Sequence, residues 1–147
     1  NVYEVRGAIE SALVERTVAT ATSANLRTIE AARQAVEVAI RQGDAREILE
    51  KDAAFHGAIN AVADNDVATG ILQSSLQLIR SLRLRLGFKS ERLSEIASEH
   101  AGIVEAIQLG DARLAAQRVR LHTNGARQSM VAALRDLESQ SRNVRRH

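Results

Sequence analysis

Four side chains in this 147-residue sequence could act together on a single metal ion, namely Asp52, His56, His100 and His122. The segment KDAAFHGAIN (51–60) sets Asp52 and His56 four residues apart, one above the other on a helix. They interrupt an otherwise apolar stripe of Leu49, Phe55, Ile59 and Val62, so the spacing predicts that both face a core. His100 sits in a second stripe with Leu93, Ile96, Ile103, Val104 and Ile107. His122 sits in a third with Ala115, Val119 and Ala126, beside Leu114 and Leu121. Three imidazoles and one carboxylate that point into one interior make a divalent metal site. Neutral imidazole suits borderline divalent ions, and a metal would satisfy a carboxylate that is otherwise costly to bury. The bland alternative is an i,i+4 hydrogen bond between Asp52 and His56, with the other histidines satisfied in the core. Zinc is the first expectation for a nitrogen-rich donor set, with nickel, manganese or iron as alternatives.

The elements that must position these residues are helices. Proline is absent, alanine, leucine, glutamate and arginine dominate, and only Tyr3, Phe55 and Phe88 are aromatic. Punctuation divides the chain into helices over about 2–21, 23–43, 45–63, 66–87, 90–110 and 111–139. Ser23, Asp44 with Glu47, Asp66, Ser90 and Asp111 are the expected helix starts. RQGDARE (41–47) and QLGDARL (108–114) share a glycine stop followed by an aspartate start. The connections are short, which predicts an all-α antiparallel bundle of about six to seven helices in one domain over 1–140.

The sequence excludes several classes. It has no cysteine, hence no disulfide or thiolate metal site, and no apolar window long enough to span a membrane. The formal charge of +2 owes +3 to Arg142, Arg145 and Arg146, so the body is near neutral and is not a basic nucleic-acid-binding surface. Residues 141–147 read as a basic, solvated tail, and the terminal His147 is set aside. The cytoplasm is the expected compartment. A metalloenzyme using the Asp/His3 site is the competing functional reading. Against it, the sequence has no HExxH motif and no second set of ligands of the di-iron kind, and no evident general base remains once Asp52 is a ligand.

RGAIE (6–10), DAAFHGAINAVADN (52–65), SEHAGIVEAIQLGDARLAA (98–116) and RLH (120–122) resemble the C-terminal ligand-binding (FCD) domain of FadR-type regulators in the GntR family. The resemblance covers nearly the whole chain, with its motifs in the expected order. In the metal-binding branch, an aspartate and three histidines hold a divalent metal, and they map onto Asp52, His56, His100 and His122. The resemblance implies a transcription factor with a winged helix-turn-helix DNA-binding domain, expected upstream of Asn1, that acts as a homodimer on operator DNA. It also implies a small organic acid as effector, with a carboxylate at the metal. An arginine on the first helix commonly faces the pocket, which here is Arg6. Its own helix supports this, since Val2, Val5, Arg6, Ile9 and Leu13 form a stripe; the alternative is a surface pair with Glu10. Arg80 and Arg83 are weaker effector candidates that also read as solvated or interface charges.

Overall fold

The structure, a computed structural model, describes residues 2–144. Six helices follow one another: α1 (Val2–Thr20), α2 (Ser23–Gln42), α3 (Ala45–Ala63), α4 (Asp66–Leu86), α5 (Ser90–Gln108) and α6 (Ala112–Val144). No strand occurs among the described residues. The all-α bundle expected from composition and punctuation is therefore the fold. The last helix runs past Ser139 to Val144, so it carries the start of the basic tail; Arg145, Arg146 and His147 lie outside the described residues.

The two Gly-Asp junctions work as their residue types require. Gly43 adopts the left-handed conformation (φ 79°), and its N–H closes on Ala39 O; Gly110 does likewise at φ 70°. Asp44 then accepts from the N–H groups of Arg46 and Glu47, and Asp111 from that of Leu114. Three other starts fall one residue earlier than expected. Thr22, not Ser23, caps α2 in a reciprocal box with Asn25. Asn65, not Asp66, accepts from Ala68 N–H, and the residue before α5 is Lys89, which makes no side-chain cap hydrogen bond, so Ser90 is the first residue of the helix and not its cap. Neighbouring Ser, Thr, Asn and Asp all own an acceptor, and the residue just outside the helical backbone is the one that can use it.

Val14, Ile29, Val36, Phe55, Ile59, Ile103, Ile107 and Val119 form the main core between α1, α2, α3, α5 and α6. Smaller clusters gather around Tyr3, Ile79 and Met130, and around Leu13, Ala63 and Leu72. The α1–α6 and α2–α3 pairs make the most extensive contacts. At Gly7 a Cβ would stand 2.8 Å from Thr123 Oγ1, so a glycine lets α1 and α6 approach closely. The buried face of α1 is broader and more polar than its apolar stripe implied. Arg6, Glu10, Ser11 and Thr17 are buried on it, whereas Val5 is 45% exposed. Leu121, expected beside His122, also faces solvent. The result is a polar seam through the bundle, running from α1 between α3, α5 and α6.

Candidate metal and effector site

Asp52 and His56 enter the seam from α3, His100 from α5 and His122 from α6. One donor atom from each lies within 4.8 Å of all the others. His56 Nε2 is 3.2 Å from His122 Nε2, and Asp52 Oδ1 is 3.3 Å from His100 Nε2 and 3.8 Å from His56 Nε2. The three imidazoles are buried; Asp52, expected on the buried face, keeps 24% of its side chain exposed because its outer edge borders a cavity.

Neither bland alternative describes this arrangement. At 3.8 Å, Asp52 and His56 are too far apart for an i,i+4 hydrogen bond. His100 is fully buried, yet neither of its ring nitrogens has a hydrogen-bond partner. Phe55 packs one face of that ring at 4.2 Å between centroids, so the residue read as plain core is also a wall of the site. Leaving a polar atom buried and unpaired costs about 1–3 kcal/mol, so this cluster asks for a positive, oxygen- and nitrogen-seeking occupant.

The protonation states suit one. Burial pushes His56 down to about 3, with Arg6 and His122 adding to the fall and Glu10 and Asp52 opposing it. Burial, reinforced by His100, Arg6 and Arg92, also holds His122 well below its ordinary value. For Asp52 burial favours the neutral acid, but the contact with His100 and the positive fields of His56 and Arg6 outweigh it and keep the carboxyl below its usual range. Neutral imidazoles and an ionised carboxylate are the forms in which these side chains ligate a metal.

Two carboxylates stand behind the histidines: Glu99, which the sequence pattern did not single out, and Glu10, which it offered only as a surface partner of Arg6. Glu99 Oε2 is 2.7 Å from His122 Nδ1, and Arg92 donates to both Glu99 oxygens at 2.8 and 2.9 Å. Glu10 Oε2 is 3.8 Å from His56 Nδ1, and Arg6 Nε donates to Glu10 Oε1 at 3.1 Å. The Arg6–Glu10 pair thus exists, but in the interior and not on the surface. The spacing of Arg92, Glu95 and Glu99 on one helical face was the available signal for the first group.

A cavity of about 230 Å³ opens beside Asp52 and His56, lined also by Arg6, Gln73, Gln77 and Arg80. A smaller chamber of about 40 Å³ continues inward past Arg6 and Asp52 to Tyr3, Arg83, Arg92 and His122. Arg6 is 3% exposed and its Nη2 has no partner. Arg80 stands at the cavity wall. Arg83, expected among solvated or interface charges, is buried: its guanidinium donates to Gly87 O and Ala126 O and lies 4.9 Å from the Phe88 ring centroid. It ties the α4–α5 turn to α6 while bordering the inner chamber.

The helical bundle thus carries a cavity lined by arginines beside a cluster of three buried histidines and a half-buried aspartate. The chain belongs to the FCD domain family, whose match spans residues 1–125 and so includes all four clustered residues. FCD domains are the C-terminal effector-binding domains of FadR/GntR-type transcription regulators, which are not enzymes. Among curated proteins, none matches the chain. No helix among the described residues is long and apolar enough to cross a membrane.

Proposed function

We propose that this domain holds one divalent transition metal, zinc in the first instance, on Asp52, His56, His100 and His122, and senses a small organic acid in the adjoining cavity. The observation that carries the metal is the buried His100 ring inside a converging donor set: neither nitrogen makes a hydrogen bond, and Nε2 meets only Asp52 Oδ1, at 3.3 Å. When bound, the metal supplies a positive centre that attracts a carboxylate. The chain's own residues do the remaining work. Arg6 offers its unpartnered Nη2 to the acid, and the planar guanidinium orients a carboxylate through parallel hydrogen bonds. Arg80, Gln73 and Gln77 line the wall that the rest of the molecule would meet. Leu49, Leu76 and Ile79 give the same cavity an apolar side that limits water around the acid.

In this reading the effector binds one arrangement of α1, α3 and α4 better than another, and thereby modulates operator binding by a winged helix-turn-helix domain of the same regulator. Only such differential affinity can shift the equilibrium. The regulator acts as a cytoplasmic homodimer, matching the two-fold symmetry of palindromic operators. Elemental analysis of purified protein tests the metal: about one ion per chain is expected, and a protein that takes up no zinc, nickel, manganese or iron removes the proposal. A thermal-shift series of carboxylic acids against their amides tests the effector. Equal stabilisation by acid and amide counts against Arg6 as its partner.

A further inference from the structure

We infer that Glu99, pinned by Arg92, is the positioning residue that fixes the ring form of His122 and aims its Nε2 at the Asp52–His56–His100 cluster. The inference rests on the metal reading for its purpose, but its geometry stands in the apoprotein. A carboxylate whose two oxygens both accept from one guanidinium can only accept from a third group. The 2.7 Å contact with His122 Nδ1 therefore puts the ring proton on Nδ1 and leaves Nε2 with a lone pair, an acceptor toward His56 in the metal-free protein. That nitrogen is the one beside His56 Nε2, 3.2 Å away, within the converging set.

Arg92 does more than neutralise Glu99. Its Nη2 also reaches His122 O at 3.4 Å, so one guanidinium grips the same histidine through its side chain and its backbone. The arginine is buried, at 4% side-chain exposure, which makes the grip stiff. An independent feature marks the arrangement. Gly125 lies one helical turn beyond His122, and a Cβ there would stand 2.8 Å from Arg92 Nη1 and 3.1 Å from Glu99 Oε1. The backbone conformation of Gly125 is ordinary helix, so the missing side chain serves to admit the Arg92–Glu99 pair against α6. His100 has no comparable partner, and the carboxylate behind His56 is too distant for a hydrogen bond. The device is specific to His122.

The test is made first on metal-free protein. Long-range ¹H–¹⁵N spectra of the histidine rings at neutral pH should place the His122 proton on Nδ1, and Glu99→Gln should mix the two ring forms. Zinc affinity, read by competition with a chromophoric chelator, should fall about 10–100-fold in Glu99→Gln. It should fall in the same direction in Gly125→Ala, which touches no donor. Helix content and the thermal midpoint of the metal-free variants report whether the fold itself has changed. A His122 proton found on Nε2 in the wild type overturns the inference. So does a folded Glu99→Gln with unchanged ring shifts and zinc affinity within twofold of wild type. Should Glu99→Gln not fold, the wild-type ring spectrum and Gly125→Ala decide. If the wild type takes up no zinc, the metal reading fails alone, and the ring spectra still judge Glu99.

Discussion

Two arginine–glutamate–histidine chains enter the same cluster and are built differently. Arg92–Glu99–His122 is closed, with both carboxylate oxygens engaged and the imidazole at 2.7 Å. Arg6–Glu10–His56 is open: a single guanidinium bond at 3.1 Å, an imidazole at 3.8 Å, and unpartnered atoms at Arg6 Nη2 and Glu10 Oε2. The closed chain lies against α6, where Gly125 makes room for it; the open chain borders the cavity. Buried polar atoms without partners are expensive, so they are expected only where something else completes them. The comparison divides the site into a half that is finished by folding and a half that is finished by a ligand.

The largest expected effect erases the distinction. His100→Ala removes the donor between the two chains, and metal content should drop from about one ion per chain to a small fraction of that. Full occupancy in this variant would mean that the cluster does not hold the metal. Next comes the effector, which engages the open chain alone. A carboxylic acid at 100 times its dissociation constant should stabilise the fold by about 2.7 kcal/mol, read as a rise in Tm. Arg6→Ala should abolish most of that rise and Arg92→Lys should leave most of it. The reverse ranking would place the acid in the inner chamber.

The pH dependence of metal-free protein is of similar size. His56 is held at about 3 in the fold and returns to its ordinary value of 6.5 on unfolding, so the unfolded chain binds more protons between those limits. Stability should therefore fall as pH drops below about 6.5. His56 alone accounts for about 2 kcal/mol of that loss by about pH 5, with His122 and, at lower pH, Asp52 acting in the same direction. Urea midpoints across that range measure it, and a flat profile would mean that the imidazoles are not held neutral. The smallest effect is assigned to Glu10→Gln. With no hydrogen bond formed to His56, its loss should change zinc affinity by less than about tenfold, or 1.4 kcal/mol. A larger loss than in Glu99→Gln, by the same chelator competition, would invert the ranking of the two chains.

The donor cluster was legible in the sequence because a polar residue set into an apolar 3.6-residue stripe is carried into the core, where it needs a partner. Asp52, His56, His100 and His122 each broke such a stripe, and the fold brings them together. The helices were legible for the same reason, aided by the two Gly-Asp junctions. Arg92 and Glu99 were not recognised, and the Arg6–Glu10 pair was offered only at the surface, because charged residues three or four apart are also the ordinary pattern of a solvated helix face. Only the close approach of α6 to α1 and α5 turns those faces inward. The caps shifted by one residue at Thr22 and Asn65 because adjacent residues were equally qualified, and backbone conformation chose between them.

The length of α6 has a mechanical consequence. The helix is gripped at His122 and again at Met130, whose side chain is 2% exposed; from Val131 to Arg142 no side chain is buried. At 1.5 Å per residue the two grips are about 12 Å apart, and the arm from Met130 to Val144 is about 21 Å long. Were α6 to pivot as a rigid rod about Met130, about 1 Å of sideways travel at His122 would become about 1.8 Å at the far end in the opposite direction. The ion pair between Lys89 Nζ and Asp136 Oδ2, 2.9 Å apart, is where such a swing would meet the α4–α5 turn.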